Sequence, residues 1–252
     1  MKKILITGMS GLIGGILRSH LESLGGYELT ALNRRPVDGV RTIQADIGDL
    51  ESIRPAFDGQ DVVVHLAAHV ASDPMEDVVR GNLAGTWNVY EAARQAGVKR
   101  VVFASSGDTI RGVDHDPPYS QIIAGDYEAV SRWEWPKVTK ELVRPGTIYG
   151  ASKVWGEVLG RVYSADYGLS VLCVRIGACP AENRPRSTRE FAAWLSHRDV
   201  ADILHRCIEA PDDLLYDIFF AVSDNKWNYR DIEHARHVLG YVPQDSAENY
   251  RE

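Results

Sequence analysis

The chain has 252 residues, of which 44% are hydrophobic and 25% are charged, so it is long enough to bury one substantial core. Its formal net charge of −7 would repel a phosphate backbone, which argues against nucleic acid as a partner. Because no long apolar span and no signal peptide is visible, we expect no membrane role and a cytoplasmic location.

The first predicted strand leads directly into a glycine-rich turn. Residues 2–7 form a short, mainly apolar and β-branched run, which is typical of a buried parallel strand. The turn has the pattern T-G-x-x-G-x-x-G, and an amphipathic helix is predicted over residues 12–24. In such a turn the glycines permit a tight bend, close approach of a pyrophosphate, and close packing of helix on strand. The pattern predicts dinucleotide binding by Gly8, Ser10, Gly11, Leu12, Ile13 and Gly14.

The end of the second predicted strand, residues 28–32, bears on the choice of dinucleotide. An acidic residue there would bind the adenosine ribose hydroxyls and repel a 2'-phosphate. The sequence instead has Asn33, Arg34 and Arg35, and the two guanidinium groups could bind a phosphate through paired hydrogen bonds. We therefore predict that NADP is accepted, alone or alongside NAD. The alternative is a solvated basic loop in which Asn33 still binds the ribose and NAD is used.

Apolar runs alternate with helical patterns along the rest of the chain. Further strands are predicted over residues 41–45, 62–66, 100–104 and 171–175, with an edge strand over 215–222 and a late helix over 232–239. This alternation is typical of an α/β fold with a Rossmann-type doubly wound parallel sheet. We predict a dinucleotide-binding core over residues 1–175 and a small C-terminal substrate lobe over residues 176–252, within one structural domain.

Tyr149 and Lys153 lie four residues apart on a helix predicted over residues 148–167. Residues at this spacing are neighbours on one helix face, so both functional groups would reach the same wall of a site. A nearby ammonium group should lower the pKa of a phenol from about 10 toward neutrality. Tyr149 could then remove a proton from an alcohol. Taken alone, the pair could also be an exposed aromatic residue beside a solvated lysine.

The glycine turn, the Tyr149 and Lys153 pair, and Ser105-Ser106 at the end of the fifth strand together resemble the extended short-chain dehydrogenase/reductase family. Asp46, His65 to Ala68 and Asn82 match further family motifs in the same order, so the resemblance covers nearly the whole chain. It implies cofactor contacts from Asp46, Ile47, Leu66, Ala67, Ala68, Asn82, Tyr149, Lys153 and Ile176.

Within that family, residues 103–106, 175–179 and 195–199 are most similar to uronate dehydrogenases and related sugar dehydrogenases. The resemblance implies NAD(P)-dependent oxidation of an anionic or polar monosaccharide, such as a uronate, a sugar phosphate or a sulfonated sugar. The anomeric hydroxyl would react and give a lactone. Ser106 would orient this hydroxyl, Tyr149 would take its proton, and Lys153 would hold the ribose. Arg175 would bind the anion of the substrate, with a plain salt bridge to a nearby carboxylate as an equal alternative.

Two features depart from the uronate dehydrogenases. Their serine pair is followed by Asn-His, which helps to hold the carboxylate, whereas Gly107 and Asp108 occupy these positions here and are predicted to contact the substrate in their place. Ser106 and Tyr149 are also further apart than is usual, so that about residues 111–145 form an insertion. We predict that this insertion is a substrate lid whose Trp133 contacts the sugar, with His69 as a further substrate contact. The alternative is an oligomer contact or a surface flap anchored by buried tryptophans.

Other interpretations of the same motifs remain open. A nucleotide-sugar epimerase or dehydratase would use the same catalytic groups, and a catalytically silent cofactor-sensing protein would keep the fold alone. The three cysteines and the histidines show no metal-ligand spacing, so we expect no metal. By analogy with the family we expect a homodimer or higher homo-oligomer through helices over residues 74–95 and 148–167.

Overall fold

The computed structural model describes residues 1–70, 74–130 and 134–251. In this part of the chain seven strands are present: β1 (Lys2–Thr7), β2 (Tyr27–Asn33), β3 (Arg41–Gln44), β4 (Val62–His65), β5 (Arg100–Ser106), β6 (Ser170–Ile176) and β7 (Tyr216–Ala221). They form one parallel sheet in the order β3-β2-β1-β4-β5-β6-β7. The predicted Rossmann-type sheet is confirmed. Because β7 extends this sheet, the predicted C-terminal lobe shares it, while the boundary at residue 175 stays a prediction.

The helices flank the sheet on both faces. They are α1 (Leu12–Leu24), α2 (Leu50–Ile53), α3 (Met75–Val78), α4 (Gly85–Gln95), α5 (Tyr119–Ala124), α6 (Tyr127–Val130), α7 (Ile148–Tyr167), α8 (Glu190–Ala193), α9 (His197–Glu209) and α10 (Glu233–Leu239). The helix predicted over residues 74–95 is interrupted, because Val79–Ala84 between α3 and α4 is a π-helical segment. Within the described residues no helix combines the length and apolar character that crossing a bilayer requires.

Alternation along the strands divides the interior between the two faces of the sheet. In β1, Ile4 and Ile6 pack with α1 and α9 in one core, whereas Leu5 packs with α4 and α7 in the other. A third cluster joins the predicted insertion to the C-terminal segment, with Ile122 and Trp227 among its buried members. The insertion is therefore packed on the body of the protein through its own apolar core.

The strand order reverses between β1 and β4, which are neighbours in the sheet. From this point the chain continues outward through β2 and β3 on one side and through β5, β6 and β7 on the other. In open α/β sheets the crevice at the carboxyl ends of such strands is where ligands bind. The fold thus places the predicted site residues around this crevice.

Candidate active site

The glycine turn between β1 and α1 forms the floor of the crevice. Gly8 has a φ of 72°, a left-handed conformation that glycine adopts without strain. A Cβ atom on Gly8 would lie 2.8 Å from the backbone N of Ala67, and one on Gly14 would lie 2.5 Å from the Cα of Met9. Gly11 precedes α1 without any side-chain cap, and the first turn of α1 carries no acidic residue. Its free amides therefore fit the pyrophosphate of a dinucleotide.

A groove of about 670 Å³ runs from this turn to the ends of β2 and β3. It is lined by the predicted cofactor residues Gly8, Ser10, Gly11, Asn33, Arg34, Arg35, Asp46, Ile47, Leu66, Ala67 and Ala68. Asn33 is buried, and its Oδ1 has no hydrogen-bond partner among the described residues. A buried acceptor of this kind is costly unless a ligand donates to it. Asn33 therefore fits a ribose hydroxyl, with the two arginines beside it.

Arg80 also lines this groove, although it belongs to none of the motifs described above. Its Nη2 lies 2.8 Å from Oδ2 of Asp46, in an ion pair whose side chains are 63% and 38% exposed. The other carboxylate oxygen of Asp46 accepts a hydrogen bond from the Gly48 amide at 2.8 Å. The adenosine end of the groove thus has a third arginine. Nothing in its sequence position distinguishes it from an ordinary surface arginine on a helix.

Asn82 and His69 differ from their predicted positions. Asn82 is 2% exposed and does not line the groove, so its assignment as a cofactor contact is corrected. Its side-chain amide is bonded to both backbone groups of His69, at 2.8 and 2.9 Å, and to Oγ of Ser152 at 3.0 Å. Asn82 therefore braces the loop after β4 against α7. His69 was predicted to contact substrate, but it lines the dinucleotide groove instead of the catalytic cleft.

A second cleft of about 410 Å³ continues from the groove and shares Gly8, Gly11, Leu66 and Ala68 with it. The three predicted catalytic residues, Ser106, Tyr149 and Lys153, all line this cleft. So do Leu12, Ile13, Gly14 and Ile176 from the predicted cofactor set, together with Gly177 and Cys179, which were not selected. The burial of Cys179 raises the pKa of its thiol to about 12, so it is a neutral wall of the cleft.

Local structure explains how the catalytic side chains meet. Ser106 ends β5, and Tyr149 lies in the first turn of α7. The helix start is fixed by Thr147, whose hydroxyl accepts a hydrogen bond from the Gly150 amide at 2.9 Å. The Ser106 and Tyr149 side chains both line the cleft, and Ser106 acts to lower the pKa of Tyr149. Lys153, one turn further along α7, is buried and lies with its Nζ 5.6 Å from the centre of the Tyr149 ring.

The electrostatics of Tyr149 differ from the prediction. Burial, followed by the charge of Asp108, raises the pKa of Tyr149 to about 12, and the hydrogen bond with Ser106 only partly opposes this. In this arrangement the pKa of Tyr149 thus lies above its usual value, not below it as predicted from the spacing of Tyr149 and Lys153. The Lys153 ammonium donates to the backbone O of Ala104 at 2.8 Å.

Burial governs the charge of Lys153 as well. It lowers the pKa of Lys153 to about 8, while the negative charge of Glu157 acts in the opposite direction. His65 on β4 is also buried, with its ring nitrogens 2.8 Å from Oγ1 of Thr7 and 3.3 Å from Oγ1 of Thr86. Burial and the nearby charge of Lys153 lower the pKa of His65 to about 3, so the ring is neutral. Among the described residues no cluster of His, Cys, Asp or Glu side chains could hold a metal ion.

Gly107 and Asp108, predicted as substrate contacts, follow Ser106 but do not line the cleft. Oδ2 of Asp108 accepts a hydrogen bond from the Thr147 hydroxyl at 3.2 Å and lies 3.5 Å from Nη1 of Arg111. The carboxylate therefore acts on the site through its charge on Tyr149. The assignment of both residues as direct substrate contacts is corrected accordingly.

The contacts of Arg175 correct its predicted role as the residue that binds the substrate anion. Its side chain is 0% exposed, and its Nε and Nη2 each lie 2.8 Å from a carboxylate oxygen of Glu157. The remaining nitrogen, Nη1, donates to the backbone O of Leu142 at 3.1 Å. The guanidinium group is thus satisfied and does not line the cleft, so it does not bind a substrate anion there. The salt bridge, which was the alternative from the sequence, is the arrangement observed.

The insertion is anchored by aromatic packing. Trp135 and Tyr127 stack on Trp227, with ring centres 5.6 and 4.0 Å apart, and Nε1 of Trp135 donates to the backbone O of Asn228 at 3.2 Å. No described residue of the insertion lines either part of the crevice. Trp133, the predicted sugar contact, lies outside the described residues. The described insertion therefore matches the anchored flap, and the lid stays a prediction.

Known proteins resemble this chain over its full length. A sequence model of the NAD dependent epimerase/dehydratase family matches residues 4–195. The NAD-dependent glucose-6-phosphate dehydrogenase of Haloferax volcanii is 34% identical, over 98% of this chain and 95% of that protein. The L-arabinose 1-dehydrogenase (NAD(P)(+)) of the same organism is 33% identical, over 98% of each chain. A mutant of uronate dehydrogenase from Agrobacterium tumefaciens, complexed with NAD, superposes with a TM-score of 0.83 at 31% identity, over 100% of this chain and 88% of that chain.

Proposed function

The chain belongs to the NAD-dependent epimerase/dehydratase family, and we propose that it oxidises an anionic or polar monosaccharide with NAD or NADP as hydride acceptor. One observation carries this proposal: Ser106, Tyr149 and Lys153 line a single cleft that continues into the glycine-lined groove. The names of the relatives, which act on glucose 6-phosphate, arabinose and uronate, support a sugar as the substrate. None of these names is that of a nucleotide sugar, and the arabinose enzyme is named for oxidation at position 1, which favours the anomeric hydroxyl and a lactone product.

The chemistry follows from the positions of the three side chains. When bound, the nicotinamide ring supplies the hydride acceptor. Oη of Tyr149 accepts the proton of the reacting hydroxyl, and Oγ of Ser106 holds that hydroxyl by a hydrogen bond. The two protein groups line the same cleft, so one substrate hydroxyl could contact both. The Lys153 ammonium, 5.6 Å from the centre of the Tyr149 ring, favours the phenolate form, which is the form that accepts this proton and becomes a neutral phenol.

The groove supports recognition of the cofactor by backbone and side chains together. The amides of the first turn of α1 would hold the pyrophosphate, and Asn33 would bind the adenosine ribose. Arg34 and Arg35 favour acceptance of NADP alongside NAD, because they replace the acidic residue that would repel a 2'-phosphate. Titrating both dinucleotides separately against the protein tests this preference.

A cation that follows the catalytic serine by five residues in sequence is the basis for an anionic or strongly polar substrate. Arg111 does not line the cleft, but it is 44% exposed and lies 3.5 Å from Asp108, so a rotation of its side chain would let it meet a phosphate or carboxylate group. In this proposal Arg111 has the role predicted for Arg175, which is paired with Glu157. An Arg111→Gln variant should raise KM for an anionic sugar while leaving KM for a neutral aldose unchanged.

We further propose a homodimer in the cytoplasm. Trp87 near the start of α4 is 43% exposed, and Trp155 and Val158 on α7 are 42% and 57% exposed. α4 and α7 contact each other, so these apolar side chains could form one surface for a second copy. The cysteines Cys173, Cys179 and Cys207 are free, which supports a reducing compartment. Sedimentation of the protein and of a Trp155→Glu variant tests the dimer.

The decisive experiment is a substrate screen followed by the absorbance of reduced nicotinamide. Glucuronate, galacturonate, neutral aldoses, sugar phosphates and sulfonated sugars are each offered with NAD and with NADP. Steady formation of reduced cofactor with a free sugar supports the dehydrogenase. An epimerase returns its hydride to the sugar, so a nucleotide sugar that is converted without net absorbance change would refute the proposal. A Tyr149→Phe variant should bind cofactor but lose turnover.

A further inference from the structure

Glu157 and Arg175 form a buried ion pair beneath the catalytic cleft. The two side chains are 2% and 0% exposed, and the paired hydrogen bonds between them are both 2.8 Å long. Oγ of Ser105 donates to Oε1 of Glu157 at 2.5 Å, which fixes the carboxylate from a second side. A two-point contact between guanidinium and carboxylate restricts both groups to one geometry. Since neither side chain lines the cleft, any effect on the reaction must pass through another residue.

Lys153 connects this pair to the cleft. Glu157 follows Lys153 by one helical turn on α7, so the two side chains share a helix face. The register of the sheet places Ser105 opposite Arg175 and Ser106 opposite Ile176. The ion pair therefore adjoins the cleft through Ser105, which both lines the cleft and donates to Glu157. Lys153 itself is 3% exposed, and a buried ammonium is unfavourable unless an opposite charge lies nearby.

We propose that Glu157, clamped by Arg175 and Ser105, keeps Lys153 charged inside the cleft, so that the ion pair is a positioning unit for the reaction. The proposal rests on the proposed function in that Lys153 belongs to the working site. Burial lowers the pKa of Lys153 to about 8, and Glu157 is the group whose charge raises it. Without Glu157, Lys153 would lose its proton at a lower pH, and the phenolate of Tyr149 would lose a neighbouring cation.

The other titratable groups near Lys153 cannot replace Glu157. His65 on β4 is neutral because its pKa is lowered to about 3. Tyr149 on α7 and Cys173 on β6 are neutral because burial raises their pKa values. Asp108 acts on Tyr149, and Arg175 on β6 carries the same charge sign as Lys153. Glu157 is the charge that raises the pKa of Lys153, and because Arg175 is paired with that carboxylate, its positive charge should oppose this effect, which sets a balance between the two partners.

This balance gives a test in which the two partners act in opposite directions. Glu157→Gln leaves the cation of Arg175 and should make Lys153 lose its proton at lower pH. Arg175→Gln leaves the carboxylate of Glu157 and should make Lys153 keep its proton to higher pH. A purely structural role would instead make both substitutions destabilising without moving Lys153 in opposite senses.

The first readout needs no cofactor. The free energy of unfolding in urea is measured against pH, each time as the difference from a Lys153→Met variant in the same background. Because folding lowers the pKa of Lys153, its unfavourable contribution is full below about pH 8 and disappears as the pH rises toward the unfolded value. The pH at which this contribution begins to decline is the quantity to compare. It should be lower by on the order of one pH unit in Glu157→Gln and higher by a similar amount in Arg175→Gln.

The second readout is the pH profile of kcat/KM for sugar oxidation. The pH at which kcat/KM falls on the alkaline side should be lower in Glu157→Gln and higher in Arg175→Gln. Shifts of equal sign in the two variants, or no shift, would overturn the proposal. If either single variant fails to fold, Glu157→Gln/Arg175→Met removes both charges, an exchange that is often tolerated in buried pairs. In this double variant the contribution of Lys153 to the free energy of unfolding should begin to decline at a lower pH than in the parent protein. An unchanged pH would overturn the proposal. If the unfolding profiles of the variants shift as expected but the protein oxidises no sugar, the proposed function is refuted and the role of Glu157 toward Lys153 is retained.

Discussion

Replacing Asp108 with asparagine is expected to lower the pKa of Tyr149 and to raise sugar oxidation at neutral pH. The pKa of Tyr149 is raised from 10 to about 12, first by burial and second by the charge of Asp108. A rise of this size corresponds to about 3 kcal/mol against the phenolate. Asp108 is the second cause after burial, so its removal should lower the pKa by on the order of one unit. This corresponds to up to about tenfold more phenolate at any pH below the pKa.

The assay is kcat/KM across pH with saturating cofactor, for the protein and for Asp108→Asn. Below the pKa of the base, kcat/KM rises with pH, and the variant should lie above the parent throughout this range. An asparagine still offers an oxygen to the Thr147 hydroxyl, which now donates to Asp108 at 3.2 Å, so the start of α7 should be retained. Arg111→Gln, tested with a neutral sugar, is the matched control and should shift the profile the other way, since it removes the cation beside Asp108. A profile for Asp108→Asn at or below that of the parent would refute the coupling between Asp108 and Tyr149.

Three further predictions concern the cofactor groove and the insertion. Gly14→Ala should abolish dinucleotide binding in a fluorescence titration, because its Cβ would lie 2.5 Å from backbone, whereas Gly15→Ala, with no atom within 4 Å of its Cβ, should bind normally. A double Arg34→Gln/Arg35→Gln variant should weaken NADP binding about tenfold or more and leave NAD binding unchanged; equal loss for both cofactors would contradict the phosphate contact. Trp227→Ala should lower the free energy of unfolding in urea by about 3–5 kcal/mol. The reason is that Trp227 is 6% exposed and that aromatic rings of the insertion stack on it. A loss below about 1 kcal/mol would show that the insertion is not anchored there.

The strands and the glycine turn could be predicted because their sequence signals are local. A buried parallel strand is a short apolar run, and the turn needs glycine wherever backbone approaches backbone. The direction of Arg175 could not be predicted in this way. All seven residues of β6 are buried, so alternation along the strand does not show which face meets the cleft and which meets α7. Its partner Glu157 is 18 residues away on a helix, and only the packed structure brings them together.

Asn82 and Lys153 lie in the region predicted for them, but each has contacts that the sequence did not indicate, for related reasons. The helix predicted over residues 74–95 gave no sign of the π-helical segment that contains Asn82 and joins α3 to α4. The spacing of Tyr149 and Lys153 correctly put their side chains on one helix face, yet it could not show that the backbone O of Ala104 is the acceptor of the lysine. Helical spacing gives proximity, whereas the hydrogen-bond partner depends on the neighbouring strand.

The long separation of Ser106 and Tyr149 in sequence does not loosen the site, because the two ends of the insertion are joined to each other. The Gly112 amide donates to the backbone O of Arg144 at 2.8 Å, and the Arg144 amide donates to the O of Thr109 at 2.9 Å. The Gly146 amide donates to the O of Asp108 at 3.3 Å. These bonds form a narrow neck directly between the end of β5 and the start of α7. Because the neck fixes the distance between Ser106 and Tyr149, the residues beyond it are free to serve packing on the C-terminal segment without displacing the catalytic pair.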